Sequence, residues 1–515
     1  MAQSAKARYD LLKTRRKPYL DRAREAARVT VPSIMPPEGH NHTSLLPQPN
    51  QGFGAQCVLT LSARIAAALM PPSKGFLSLQ PTPEALIEAG TDVVPDDIAI
   101  GLGKSEKLIN AETNRRNWRQ ATNLTSQLLV VTGNALEVML PDNTIRVFRL
   151  DQYVVVRDPS GKVVELLIEE NLFPDALPDD LQQIAEQYKA NSHGHAAAET
   201  VPMYTWVKWD GQKEEYKVHQ ELGEAQVPDS KGTYKKELLP FYALRYSMVA
   251  GEDYGRGKVE EHLADMILFD GLSKAVGDGS AMASRNITMV RPGAQGGLNL
   301  MRKVSKAQNG EFVIGNPEDV SMLQFQNVTG LQITSQELQH LRQSLGQAFL
   351  LASTVTRNAE RVTATEVRMA AEELEGILGG VYTMLSQDMM LSRARRLVHQ
   401  MKDEDKLPDW PDDQIEPVIV TGLEALGREA VVNAIITAGE MIRNLPEQAQ
   451  RYPKWDSLIK KLFLGLDIED AVKTDAEVQE DMDRERATQA AGNVAESAGT
   501  AAAQAAAQAA QPQQQ

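Results

Sequence analysis

Apolar side chains recur at helical spacing near the start of this chain, at strand spacing through its middle, and at helical spacing again after Gly257. Residues 8–28 are helical in pattern and locally basic, with Pro18 placed to kink the helix or start a new turn. Val31-Pro32 ends that pattern, and residues 32–52, rich in Pro, Asn, Gly and His, read as a loop. Helical spacing resumes from Ala55 to Met70 and stops at Pro71-Pro72. Residues 104–133 are helical in pattern again, with Leu108, Ile109, Trp118, Leu124, Leu128 and Leu129 as the apolar set.

Three hairpins are predicted next. Val138–Leu140 and Ile145–Leu150 flank Pro141-Asp142-Asn143. Tyr153–Val156 and Val163–Ile168 flank Asp158-Pro159-Ser160-Gly161. Met203–Trp209 and Glu214–His219 flank Asp210-Gly211. Each turn is made of residues that preset or tolerate turn dihedrals.

A helix is predicted over Lys258–Arg285, weakened in its second half by Gly271 and Gly277 to Gly279. Val259, Leu263, Met266, Ile267, Leu268, Phe269 and Leu272 spread over most of its circumference, so it must be covered on several sides. A neighbouring subunit or the chain's own core would supply that cover equally well. Residues 286–328 read as short strands and turns with many glycines, and a second helix as Leu331–Leu351. After a loop, Ser353–Arg361, Thr363 and Glu366 form a capping box that starts a long helix to Met401, with Gly379-Gly380 as its kink. Residues 423–480 are mostly helical in pattern. From Ala487 the chain is Ala/Gln-rich and reads as a mobile or marginally helical tail.

These patterns predict an α+β protein, and 515 residues suffice for two to four domains. Cys57 is the single cysteine, so no intrachain disulfide forms, and its apolar neighbours predict an inert buried thiol. Residues 1–28 have no apolar stretch of the secretory kind, and Ile65–Pro72 is too short to span a bilayer, so synthesis in a cytosol is expected. The net charge of −15 is the reverse of what a phosphate-clamping protein shows. Either DNA is no partner, or it passes without being gripped.

The search for catalytic chemistry is negative. Gly101-Leu102-Gly103-Lys104-Ser105 resembles the end of a phosphate loop, but Ile98 stands where the first glycine is needed. His40-Asn41-His42 and His193-Gly194-His195 lack partners at metal-ligand spacing and read as surface histidines. No cofactor or metal is expected. Two basic features stand out against the acidic average. Arg291, Arg302, Lys303 and Lys306 lie in residues 286–310, which contain no acidic residue, and Arg357 and Arg361 bracket the loop before the capping box.

The order of elements resembles the portal fold: a helical and β-rich wing, a helix pair forming a stem, a small α/β clip between them, a channel loop, a long kinked helix and a helical crown. Particular motifs are similar to those of the connector family of short-tailed, Autographivirus-type bacteriophages. They are Tyr9-Asp10-Leu11-Leu12-Lys13 with Pro18-Tyr19, Val131-Thr132-Gly133-Asn134, Tyr254-Gly255-Arg256, and Lys306–Phe312 followed by Gly315–Asp319. Glu360–Ala364, Leu378–Tyr382 and Thr421–Arg428 complete the set.

The resemblance implies a wing over 1–256, stem helices at 257–285 and 329–351, and a clip at 286–328 between them. It further implies a channel loop at 352–362, a long kinked helix and return at 363–421, a crown at 422–486 and the tail at 487–515. It also implies a non-enzymatic subunit of a homo-oligomeric ring, commonly of twelve, at one capsid vertex of the virion, assembled in the host cytoplasm. Its implied partners are scaffolding protein, major capsid protein, internal core proteins, the terminase large subunit, the tail adaptor or tail tube, and double-stranded DNA passing through the ring. Arg357 and Arg361 would then face DNA, and Arg291, Arg302, Lys303 and Lys306 would meet terminase and later the tail. Two rival readings remain: an internal or scaffolding-type structural protein without a channel, and a packaging ATPase or nuclease.

Overall fold

The computed structural model describes residues 4–41, 43–71, 75–88, 96–191, 199–284, 287–291, 297–308, 312, 316–323, 328–351, 380–408, 410 and 414–419, with isolated positions at 436–437, 441, 459, 482–484 and 486. Helices and strands are mixed, and the chain divides into two units: Met1–Phe76 with Ala111–Lys406, and Leu77–Asn110 with Leu407–Gln515.

The larger unit starts with α1 (Ala5–Arg28) and α2 (Phe53–Leu69). The Ser4 hydroxyl accepts from the Ala7 N–H at 3.3 Å and Glu221 accepts from the Ala5 N–H at 2.8 Å, so free donors at the start of α1 are satisfied. Pro18 lies inside α1 without ending it, because Arg16, Leu20 and Ala23 on either side stay buried. Arg16 is 1% exposed and donates to the Tyr153 carbonyl at 2.6 Å, so its charge is held by hydrogen bonds rather than water.

In the smaller unit, β1 (Leu77–Pro81) pairs antiparallel with Ile415–Ile419. This unit also holds α3 (Pro83–Glu88) and α4 (Asp96–Arg115) as far as Asn110, and Glu106 of α4 accepts from the Leu79 N–H at 2.7 Å. The helical stretch 104–133 is made of two helices. Asn117 adopts a left-handed φ of 55°, which stops α4 and opens α5 (Trp118–Thr132) in the larger unit.

All three predicted hairpins are present. The first is β2 (Asn134–Met139) with β3 (Ile145–Phe148). The second is β4 (Tyr153–Arg157) with β5 (Val163–Leu172). After α6 (Asp179–Asn191), β6 (Val201–Asp210) pairs with β7 (Glu215–Leu222), which also pairs β8 (Ala225–Gln226) and β9 (Gly232–Lys235). β4 to β9 form one six-stranded sheet, and β10 (Phe241–Arg245) completes a three-stranded sheet with β2 and β3. Ala5, Tyr9 and Leu12 of α1 cover Val154, Leu167, Tyr204 and Trp206 of the larger sheet. Arg157 stitches the two sheets, donating to the carbonyls of Asp253, Gly161 and Ala243, and burial lowers its pKa to about 10.

Next come α7 (Lys258–Glu261) and α8 (Leu263–Ala283), then β11 (Ile287–Val290), α9 (Gly297–Lys306), β12 (Val320–Leu323) and α10 (Val328–Ala348). α8 runs unbroken through Gly271, Gly277 and Gly279. Gly279 has a packing reason: a Cβ there would stand 2.9 Å from Leu331 Cδ1 of α10. Residues 286–328 hold more than strands and turns, since α9 is a helix of ten residues. The chain returns through a helical stretch, Gly380–Leu385, one π turn at Ser386–Leu391, and the helix Ser392–Asp403.

That last helix is tied down by an ion pair whose two side chains are fully buried, Arg393 with Glu137 of β2. The Arg393 Nε donates to Glu137 at 2.8 Å and its Nη1 to the Thr122 hydroxyl of α5 at 2.8 Å, while the Thr125 hydroxyl also donates to Glu137. Breaking such a pair by removing one partner leaves a buried charge alone, at a cost of about 3–5 kcal/mol. Arg393→Met is therefore expected to lower the thermal unfolding midpoint by several degrees. Arg393→Met combined with Glu137→Met should recover most of that loss. A single variant as stable as the parent in a calorimetric scan would contradict this.

Candidate interaction site

Features that resembled catalytic chemistry have plain structural roles. Gly101 to Ser105 lie within α4, where the Ser105 hydroxyl donates to the Gly101 carbonyl, so no loop of N–H groups faces a phosphate. His40 shares a hydrogen bond with the Ser44 hydroxyl at 2.8 Å, and His193 and His195 lie outside the described residues. Cys57 is fully buried and its thiol is pushed up to about 12. Among the described residues no group of His, Cys, Asp and Glu could hold a metal, and no helix is long and apolar enough to cross a membrane.

What the structure does bring together is the α8–α10 pair. Gly279 meets Leu331 at one end, while the His262 ring packs tilted against Phe349, centroids 5.6 Å apart, at the other, so the helices run antiparallel. The far end carries β11, α9 and β12, with β11 and β12 paired antiparallel. The near end is clamped to the body. Asp270, 6% exposed, accepts from both the backbone N–H and the side-chain amide of Asn50, at 2.7 and 2.9 Å. Phe53 lies 5.3 Å from Phe269, and the Arg342 guanidinium stands 5.3 Å above the Phe53 ring.

The departure point of α7 and α8 is fixed by backbone contact. Gly133 has φ +75°, and a Cβ there would come within 2.4 Å of the Arg256 backbone. Asn134 exchanges two hydrogen bonds with the Gly255 backbone, at 2.8 and 2.7 Å. The motifs Val131–Asn134 and Tyr254–Arg256 are thus one joint.

Away from α10, α8 presents Ile267, Leu268 and Met282 at 40%, 47% and 61% exposure, with Ala264, Gly271 and Ala275 also exposed between them. Ile333 of α10 is 62% exposed. The apolar run is densest from Ala264 to Ala275, with exposed Asp278 interrupting it before Met282, and it lies on a helix pair held at its base.

The structure places the predicted cations in two groups. Arg302, Lys303 and Lys306 share an exposed face of α9. Arg291 follows β11, exposed, its N–H bonded to the Asp319 carbonyl at 3.0 Å. Among the described residues none of these four is ion-paired, and Phe312, a few positions on in the sequence, is 99% exposed. Arg357 and Arg361, with the whole 352–362 loop, lie outside the described residues. The chain leaves α10 through Leu350, buried and left-handed at φ 61°, with the Leu351 N–H closing back on the Gly346 carbonyl at 2.7 Å. The residue pattern alone missed α9, which only the resemblance to an α/β clip implied, and it missed the Asp270 clamp. The spacing of Leu298, Met301 and Val304 carried a signal for the helix, whereas the clamp joins residues 220 positions apart.

A family model described as bacteriophage head to tail connecting protein matches residues 2–472. The chain belongs to that family. Relatives include the portal protein of Escherichia phage T7, 34% identical over 433 residues, covering 82% of this chain and 79% of the relative. The portal protein of Enterobacteria phage T3 is 31% identical over 511 residues, covering 96% and 93%. A chain in the neck of an empty GTA (gene transfer agent) particle covers 78% of this chain and 89% of its own length, at 12% identity and a TM-score of 0.40. The protein is thus a head-to-tail connector of short-tailed phages, and the scaffold without a channel is set aside.

Proposed function

We propose that copies of this connector close into a ring, commonly of twelve, at one vertex of the capsid, with α8 and α10 as the stem around a passage for double-stranded DNA. The observation that supports this most is the exposed stripe Ala264, Ile267, Leu268, Gly271, Ala275 and Met282 on a helix clamped at its base. Burying it between neighbours returns about 25 cal/mol per Å² of apolar surface. Residues 1–256 serve as wing, 286–328 as clip, 352–362 as channel loop, 363–421 as long kinked helix and return, and 422–486 as crown. The connector acts without enzymatic chemistry or a cofactor. In the virion it occupies the tail vertex after assembly in the host cytoplasm with scaffolding, major capsid and internal core proteins.

The net charge of −15 fits a passage that must not hold its cargo. Each neutralised phosphate adds affinity and would slow sliding. Charge confined to a loop becomes, by symmetry, a narrow ring of contacts. Arg357 and Arg361 supply that ring. The exposed cations of the clip, Arg291, Arg302, Lys303 and Lys306, face the terminase large subunit and later the tail adaptor or tail tube.

Three outcomes test this reading. Purified protein imaged in negative stain should show rings with a central hole, and Ile267→Glu with Leu268→Glu should leave folded monomers; a parent chain that stays monomeric at all concentrations overturns the ring. Charge reversal at Arg302, Lys303 and Lys306 should leave rings intact and abolish terminase-dependent packaging or tail attachment; heads that fill and gain tails normally would show that these charges serve only subunit packing. Arg357→Ala with Arg361→Ala should spare assembly but impair packaging or retention of DNA, and normal retention in filled heads removes the loop from that role.

A further inference from the structure

Between α1 and α2 the chain makes a loop with unusual properties. Residues 39–53 contain no Asp, Glu, Lys or Arg, in a protein in which 24% of residues are charged. The tip of the loop is held in one shape by local hydrogen bonds. The Asn41 side chain accepts from the Thr43 hydroxyl and the Ser44 N–H, both at 2.9 Å. The Ser44 hydroxyl accepts from the Asn41 N–H at 3.0 Å and reaches His40 at 2.8 Å. The root is held as firmly, by Asn50 on Asp270 of α8 and by Gln51 on the Val29 carbonyl at 2.8 Å. What this built loop presents is Leu45, 96% exposed. A leucine fixed in water by a network of polar neighbours gains nothing for its own subunit.

We propose that Leu45 is an inter-subunit peg, which seats on the α8 stripe around Ile267 and Leu268 of the adjacent copy in the ring. The proposal rests on the ring reading of the proposed function. Three observations favour a second copy as the occupant. The loop carries no charge over residues 39–53, so seating it on Ile267, Gly271 and Ala275, with Asp265 left at the edge, strands no ion of its own. The two surfaces differ, which is what a closed head-to-tail ring requires: each interface joins one flank to the other.

The third observation is geometric. Rotation about a ring axis leaves every atom at its own height along that axis. The loop's root lies on Asp270, within one helical turn of Ile267 and Leu268. Five residues from Asn50 to Leu45 reach at most about 17 Å. The 21 residues of α8 span about 31 Å. The peg of one copy therefore stands within about 17 Å in height of its neighbour's Asp270, the level of Ile267 and Leu268 where α8 runs close to the direction of the ring axis.

The test uses the full chain carrying Leu45→Cys and Leu268→Cys. The native Cys57 stays in place, since its thiol is buried and stays protonated. Oxidation or a short bis-maleimide should give a ladder of covalently joined subunits in assembled rings. Leu45→Cys alone and Leu268→Cys alone should not give that ladder. As a second variant, Leu45→Asp should leave the unfolding midpoint of the monomer unchanged and raise the concentration needed for assembly roughly tenfold, while Leu45→Met should change it little. Intact rings with no joined subunits, or joined residues only within single subunits, overturn the peg and leave the ring standing. Assembly of Leu45→Asp at the parent's concentration overturns the peg as well. A parent chain that forms no rings fails the ring reading and removes the peg with it.

Discussion

The joint between the end of α5 and the start of α7 governs the placement of everything beyond it. There two backbones touch because Gly133 and Gly255 lack side chains, and Asn134 locks them by bonding both the N–H and the carbonyl of Gly255. Any Cβ at Gly133 would overlap backbone, which cannot move aside as a side chain can. From that point α7 and α8 project, α10 returns alongside, and the small β11–α9–β12 element is held at their far end. A connector needs this rigidity, since a contact surface presented on a wavering helix would lose much of its binding energy to ordering itself.

Much of the body was legible in the sequence, for reasons that are local. Each hairpin announced itself through its turn: Asn143 and Gly161 take left-handed conformations at the predicted corners, and the strands on either side alternate as their pairing requires. The helix break at Asn117 was hidden, because apolar spacing continues on both sides of it and only its left-handed φ reveals the stop. The glycines of α8 suggested weakness where the structure uses one of them for close packing against Leu331. α9 was obscured by glycine-rich flanks, although its apolar spacing was present.

The interaction surfaces divide in the same way. The basic character of residues 286–310 was visible as a lack of acids, a property of composition alone. The clamp of Asn50 on Asp270 was not, since nothing in either neighbourhood points to a partner so far along the chain. The ambiguity over what covers the apolar α8 was intrinsic. Periodicity reports that a face must be buried and is silent on whether the cover comes from the same copy or another. Exposure of Ile267, Leu268 and Met282 shows that the described residues of the same chain leave that face uncovered.

The notch at Gly279 has a consequence for measurement along the helix pair. Leu331 fits there because one side chain is missing, and the next glycine on α8 toward the far end does not exist: Ser280 to Ser284 all carry a Cβ. Sliding α10 by one turn, about 5.4 Å, would press Leu331 against a side chain. The pair therefore behaves as a ruler with a single detent. The distance from the body to α9 is graduated to less than a helical pitch, and every identical copy reads off the same length.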